Sequence, residues 1–166
     1  MKNRIVVSSL APNHLRDNFD CGEAALNDYL KRFALQNARQ GLGRTWVVVE
    51  PDTLSVQGYY TLVSSSISPD VVPKKLPRYP VPAILLARLA VDRRCQGQRL
   101  GENLLLDALA RSAQTADEIG VYAVVVDAMH KPVRGFYLKY GFQSLTDHDL
   151  HLYLPIKTIK QLVGSA

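Results

Sequence analysis

Cysteine is scarce in this chain: its 166 residues include only Cys21 and Cys95. Two thiols do not make a disulfide framework, and neither sits among partners at metal-ligand spacing, so no metal site is expected. Cys95 is flanked by arginines that would favour its thiolate, but a packing or loop role is the plainer reading. Long apolar runs are also missing. The longest fall well short of a membrane span, and Met1-Lys-Asn-Arg-Ile-Val-Val is too short in apolar residues for a secretory signal. The chain is therefore expected in the cytoplasm, away from membranes. It has no internal repeat and no low-complexity segment.

What is present suits one soluble domain: 47% hydrophobic residues, in a length that buries a substantial core. A formal net charge of +5 favours an anionic partner. Lys31, Arg32, Arg39 and Arg44 gather around the first predicted helix, and Lys74, Lys75 and Arg78 lie in a later loop. They are candidate phosphate contacts for a nucleic acid, set against the plainer reading of a solvated face.

The apolar pattern gives the organisation. Ile5 to Ser8 predicts a first strand. Asp20 with Glu23 three residues on fits a capping box, and Leu26, Tyr29, Leu30 and Phe33 recur at helical spacing on one face, which is expected to be core. Thr45 to Glu50 and Val56 to Ser65 predict an antiparallel hairpin turning near Pro51-Asp52. Pro69, Pro73, Pro77, Pro80 and Pro82 make residues 67–82 a loop, expected to lie over an acceptor site. Ala83 to Val91 and Val121 to Ala128 predict buried strands, each followed by a helix. Leu150 to Ile156 supplies a last strand, and Lys157 to Ala166 a tail. This sums to a mixed α/β sheet with flanking helices, in a single domain spanning residues 1–166.

The most informative stretch is Arg88-Leu-Ala-Val-Asp-Arg-Arg-Cys-Gln-Gly-Gln-Arg-Leu-Gly101. A buried strand runs into a turn rich in glycine and arginine that opens an amphipathic helix. Glycine lets backbone approach an anion closely, and the first N–H groups of a helix have no internal acceptor, so such a turn can hold a pyrophosphate. Taken alone, such a turn also caps ordinary strand–helix units. A second element changes the weighing: Gly135-Phe-Tyr-Leu-Lys-Tyr-Gly-Phe142, a short helix closed by Gly141.

Together these resemble the GNAT superfamily of acetyl-coenzyme A-dependent N-acetyltransferases. The turn Gln96-Gly-Gln-Arg-Leu-Gly101 matches the family's Q/R-x-x-G-x-G/A signature at its first and last positions, with Arg99 in place of the middle glycine. If that position only donates an amide, a side chain is tolerated there, and tolerance is expected. Phe19-Asp-Cys-Gly-Glu-Ala-Ala-Leu-Asn-Asp-Tyr-Leu30, Ala34-Leu-Gln-Asn37, Gly58-Tyr-Tyr-Thr-Leu62 and Tyr79-Pro-Val-Pro-Ala-Ile-Leu-Leu-Ala-Arg-Leu-Ala-Val91 further resemble the GNAT toxins of bacterial toxin–antitoxin pairs. That resemblance implies acetylation of the free α-amino group of aminoacyl-tRNA, arrest of translation and silencing by a ribbon-helix-helix antitoxin, and it leaves room for a homodimer. It also implies the GNAT fold, whose fourth and fifth strands splay apart, here Arg88 to Val91 and Val124 to Ala128.

The resemblance assigns the chemistry. Tyr137, the tyrosine of the F-Y pair, would be the general acid for the departing thiolate, with Tyr140 as a competing candidate. A backbone N–H of Leu89 or Ala90, in the run ending at Val91, would polarise the acetyl carbonyl. The turn of Gln96, Gly97, Gln98, Arg99, Leu100, Gly101 and Glu102 would cradle the pyrophosphate. His130 stands where the superfamily often has an asparagine that contacts coenzyme A. No carboxylate stands out as a general base, which matters less for an α-amino group, titrating near roughly 7.7 to 8.0, than for a lysine near about 10.4. Two rivals remain: a GNAT enzyme acting on a small amine or a protein, and an inactive acetyl-coenzyme A-binding regulatory module.

Overall fold

The computed structural model describes residues 5–163. Its elements in chain order are β1 (Ser8–Ser9), α1 (Ala24–Asp28), a π-helical turn (Tyr29–Phe33), α2 (Ala34–Arg39), β2 (Arg44–Val49), β3 (Val56–Ile67) and β4 (Val81–Val91). Then follow α3 (Leu100–Ala116), β5 (Ala123–Asp127), α4 (Lys131–Leu138), β6 (Gln143–Ser144), β7 (His151–Pro155) and α5 (Ile156–Val163). The strands form one mixed sheet in the order β1-β2-β3-β4-β5-β7-β6. The expected fold class is the one observed. No helix among the described residues is long and apolar enough to cross a membrane.

Two compact units share the chain, and β3 and β4 each run through both. The first takes residues up to Val63 together with Arg88–Ala108. In it β2 and β3 form the predicted antiparallel hairpin, from Arg44 opposite Leu62 to Val49 opposite Val56. Its core joins Phe19, Leu30, Ala34, Val47, Val56 and Tyr59, with the Phe19 and Tyr59 rings edge to face at 5.6 Å. Leu100, Leu104, Leu105 and Ala108 present the buried stripe of α3 that the periodicity predicts.

The second unit holds Ser64–Ala87 and the chain from Leu109 onward. Parallel pairing sets Ala83, Ile84 and Leu85 against Ala123, Val124 and Val125, and β7 runs antiparallel to β5 from Ala123 opposite Pro155 to Asp127 opposite His151. A core of Ile67, Val72, Val81, Ala83, Ala123, Val125, Leu145 and Tyr153 closes it.

Five expectations are corrected. The first strand is Ser8–Ser9, shorter than the predicted Ile5–Ser8. The capping box does not form: Glu23 caps α1 with its backbone alone, while the Asp20 carboxylate accepts from the Gly22 N–H at 2.9 Å and from Asn27 Nδ2 at 3.0 Å. Phe33 is not core but 49% exposed. Residues 29–33 make i→i+5 bonds, so each revolution takes extra residues and Phe33 falls off the stripe that Leu30 still occupies. The predicted tail is in large part α5, because Ile156 and Ile159, one turn apart, are both buried; residues 164–166 of that stretch lie outside the described part. Pro82 belongs to β4, at its second position, where a missing N–H is tolerated.

Candidate active site

The turn of residues 96–102, the candidate pyrophosphate site, lies wholly within the first unit. β4 ends at Val91, a single 3-10 turn spans Arg93–Cys95, and α3 opens at Leu100. Gly97 has φ +82°, and a Cβ built there would meet nothing within 4 Å, so the backbone face at Gly97 is open. The first N–H of this helical start to find a backbone acceptor is that of Asn103, on the Arg99 carbonyl at 3.0 Å. The amides of Leu100, Gly101 and Glu102 are thus the free donors that a helix start carries, with the positive end of the dipole behind them. Free amides at a helix start can receive a diphosphate, the chemistry that the coenzyme A expectation requires.

Arg99 corrects an expectation. Its φ is +61°, in the left-handed region, so this position does favour glycine and Arg99 is strained there. Its carbonyl is used twice, by the Asn103 N–H at 3.0 Å and by Asn103 Nδ2 at 2.9 Å.

What holds the turn in place was not singled out in the sequence. Asp92, 1% exposed, accepts from its own turn through Arg94 N–H at 2.9 Å, Arg94 Nε at 3.0 Å and Arg94 Nη2 at 3.0 Å. It also accepts from the Asp20 N–H at 3.1 Å. The hydrogen bonds from the Arg94 side chain, chiefly, hold the Asp92 carboxyl down at about 2. Arg93 N–H donates to the Asp20 carbonyl at 2.8 Å, and Gln96 Nε2 donates to the carbonyls of Val91 at 3.0 Å and Cys21 at 3.4 Å. The loop of residues 18–22 is therefore a strap across the turn. The Gln96 side chain thus ties the end of β4 to that strap, and its N–H donates to the Arg93 carbonyl at 3.4 Å. The only sequence signal was Asp20, whose acidic side chain fitted a helix cap equally well. Burial raises the Cys95 thiol and the Cys21 thiol, in keeping with a packing role for both.

In the approach to the turn, Ala90 is buried and Leu89 and Val91 are half-buried. A Cβ on Gly58 would come within 2.8 Å of Leu104 Cδ1 and 3.2 Å of the Ala90 carbonyl, so glycine is required for β3 to pass β4 and α3 this closely.

Tyr137 lies in the second unit, near the end of α4. Its ring meets Phe136 at 5.2 Å and Phe142 at 5.3 Å, both edge to face, and the residue is 6% exposed. Burial pushes its phenol above the ordinary value. The helix begins after His130, which is exposed and makes no side-chain cap, and Pro132 sits in the first turn as predicted. Gly141, at φ +93°, reverses the chain so that Phe142 can fold back on Tyr137. Tyr140 is half-buried, with its ring neighbour Phe136 at 5.4 Å. A surface cavity of about 400 Å³, unforeseen from the sequence, is lined by Lys131, Arg134, His148, Asp149 and Leu150.

The expected phosphate contacts fall into two groups. Arg32, Arg39 and Arg44 are exposed and Lys31 half-buried in the first unit; Lys74, Lys75 and Arg78 are exposed in the second. Among the described residues no group of three or more His, Cys, Asp or Glu could hold a metal ion.

The acetyltransferase (GNAT) domain family matches residues 41–144. The chain belongs to the GNAT acetyltransferases. The match runs from the β2–β3 hairpin through the turn and α4 to β6, so it includes both candidate elements. A curated relative described as a tRNA-acetylating toxin, from Mycobacterium tuberculosis, is 41% identical over 162 residues, covering 93% of this chain and 96% of its own length. Among solved structures, a Tyr-to-Phe mutant of KacT superposes with a TM-score of 0.91 at 30% identity, covering 96% of this GNAT chain and 99% of that one. AtaT complexed with acetyl-methionyl-tRNAfMet superposes at 0.90 with 28% identity, over 96% and 99% of the two chains. As a GNAT enzyme, this chain transfers the acetyl group of acetyl-coenzyme A to an amine.

Proposed function

We propose that this GNAT domain, taking in the whole chain, is the toxin of a toxin–antitoxin pair and acetylates the α-amino group of aminoacyl-tRNA in the cytoplasm, stopping translation. The observation that carries the reading is its near full-length kinship with a tRNA-acetylating toxin, 41% identical over 93% of the chain. A net charge of +5 and two exposed sets of cations suit a nucleic-acid acceptor. A solved neighbour is a Tyr-to-Phe mutant of the toxin AtaT bound to the C-terminus of the antitoxin AtaR and acetyl-coenzyme A, which supports a silencing partner here too. We assign that partner to the ribbon-helix-helix class and allow for a homodimer.

Acetyl-coenzyme A, when bound, supplies the activated thioester. The amides from Gln98 to Glu102, with Gly97 allowing approach, hold its diphosphate and fix the direction in which the rest of the molecule runs. A backbone N–H of Leu89 or Ala90 donates to the carbonyl oxygen as negative charge develops on it. The amine nitrogen bonds to the acetyl carbon as the carbon–sulfur bond breaks. Tyr137 Oη gives its proton to the departing sulfur, the amine's surplus proton passes to solvent, and the Tyr137 phenolate is reprotonated from solvent. Because burial raises the Tyr137 phenol, it remains protonated throughout the neutral range. No general base is needed when the acceptor is an α-amino group, a useful fraction of which is neutral at about pH 7.

The test is incubation of the purified chain with acetyl-labelled coenzyme A and charged tRNA, beside a polyamine and a lysine-containing peptide. Label is expected on the aminoacyl ester, with a steep fall in tRNA affinity as salt rises. Label on the polyamine or the peptide, with charged tRNA untouched, would replace this reading with that of a small-amine or protein acetyltransferase.

A further inference from the structure

A ladder of π faces runs outward from the cofactor strand of the first unit. Arg88, on β4, places its guanidinium carbon 3.5 Å from the centroid of the Tyr29 ring, a close cation–π contact. Tyr29 is 6% exposed, and its hydroxyl accepts from Asn37 Nδ2 at 3.2 Å, so this rung is fixed at both its face and its edge. The next rung is Phe33, one turn on, with its ring centroid 6.5 Å from that of Tyr29 and the planes 31° apart. Phe33 is 49% exposed, and the ladder ends there in water.

Folding does not explain Phe33. Full burial of a phenylalanine contributes roughly 1.5–3 kcal/mol, and the stripe of Leu26, Tyr29 and Leu30 would place it in the core but for the π turn. The turn instead holds an aromatic ring at the surface directly after Lys31 and Arg32 in the chain, with Arg39 and Arg44 in the same unit. An aromatic face set among cations is how single-stranded nucleic acid is held: a base lies on the ring while its phosphates meet the charges.

Resting on the reading that the acceptor is charged tRNA, we infer that Phe33 is a stacking platform for an unpaired nucleobase of the tRNA's single-stranded acceptor end. Arg88 and Tyr29 position the platform from beneath, and Lys31 and Arg32 take the adjoining phosphates. The aminoacyl group is carried on the terminal nucleotide of that strand, so holding the strand at Phe33 limits where the amine can go.

Two variants of the full chain test this. Phe33→Ala is expected to weaken charged tRNA at least about fivefold, the lower end of what one base–aromatic stack contributes, and Phe33→Trp to restore it. In a Trp46→Phe background, Phe33→Trp leaves one indole in the chain, whose fluorescence is expected to be quenched by a short unpaired oligoribonucleotide and not by its abasic counterpart of equal charge. Unchanged tRNA affinity in Phe33→Ala, or equal quenching by the abasic strand, overturns the platform. So does conversion of a dimer to a monomer by Phe33→Ala with tRNA affinity kept, which assigns the ring to a protein contact. If the wild-type chain acetylates charged tRNA and Phe33→Ala binds it as tightly as the wild type, only the platform falls; if the wild-type chain neither binds nor acetylates charged tRNA, the acceptor reading falls with it.

Discussion

Asp92 and Arg94 clasp each other across a single 3-10 turn: Oδ1 meets Arg94 Nε and Oδ2 meets Arg94 Nη2, both at 3.0 Å, with the carboxylate buried and the guanidinium largely exposed. The pair fixes the point at which β4 gives way to the candidate pyrophosphate turn, and through the Asp20 N–H it fixes the strap as well. Asp92→Asn keeps the shape but replaces an acceptor oxygen by a donor. It is expected to cost about 1–3 kcal/mol, read as a lower urea midpoint at constant slope, together with weaker acetyl-coenzyme A binding. An unchanged midpoint would remove the pair from the list of what holds the turn.

The same pair sets an acid limb. The Asp92 carboxyl falls from 3.8 unfolded to about 2 in the fold, so the folded state favours its ionised form. That contribution is complete above about pH 4 and is lost as pH drops through about 2. Wild-type stability is expected to fall across this window, and the fall to be shallower in Asp92→Asn when both are followed by thermal melts at stepped pH.

Much of the framework was legible because it rests on apolar periodicity. The stripe of Leu100, Leu104, Leu105, Ala108 and Leu109 and the near-continuous apolar run into Val91 could be satisfied only by a buried helix face and a covered strand, and both formed. The errors fall where periodicity carries no information. Two-residue strands such as Ser8–Ser9 and Gln143–Ser144 have no pattern to detect. A π turn is invisible to a count of 3.6 residues per revolution, and that count puts Phe33 in the core. The strap was hidden because Asp20 and Asn27 satisfy each other across the chain's bend, a pairing that spacing alone does not distinguish from a helix cap.

Arg99 gives a prediction of opposite sign. At φ +61° an L-residue is strained by roughly 1–2 kcal/mol, while glycine's greater unfolded freedom offsets about half of that. Arg99→Gly is therefore expected to raise the melting temperature slightly, by a few degrees at most. If the melting temperature drops, the contacts of the arginine side chain outweigh the backbone strain.

Gly58 is expected to be intolerant of even a methyl group. Leu104, which a Cβ would approach within 2.8 Å, is fully buried and has no solvent to retreat into, and the Ala90 carbonyl at 3.2 Å belongs to the strand that leads to the turn. Gly58→Ala should cost about 1–3 kcal/mol and raise KM for acetyl-coenzyme A, since relief comes most easily by displacing β4 at Ala90. Melting and steady-state kinetics on one preparation check both parts; a stable variant with unaltered KM would mean that β4 is less constrained than the packing indicates.

Tyr137→Phe separates chemistry from structure because the ring contacts to Phe136 and Phe142 survive the loss of one oxygen. Removing a general acid typically costs about 10²- to 10⁴-fold in rate, and kcat should fall within that range with the dissociation constant of acetyl-coenzyme A little altered. The pH profile adds a second check. Burial raises the phenol, so the protonated acid persists above its ordinary range and the wild-type rate should show no alkaline decline at pH 8–9, where the aminoacyl amine is instead becoming fully neutral. A variant that keeps wild-type kcat would leave the sulfur's proton to another donor, with Tyr140 the next residue to substitute.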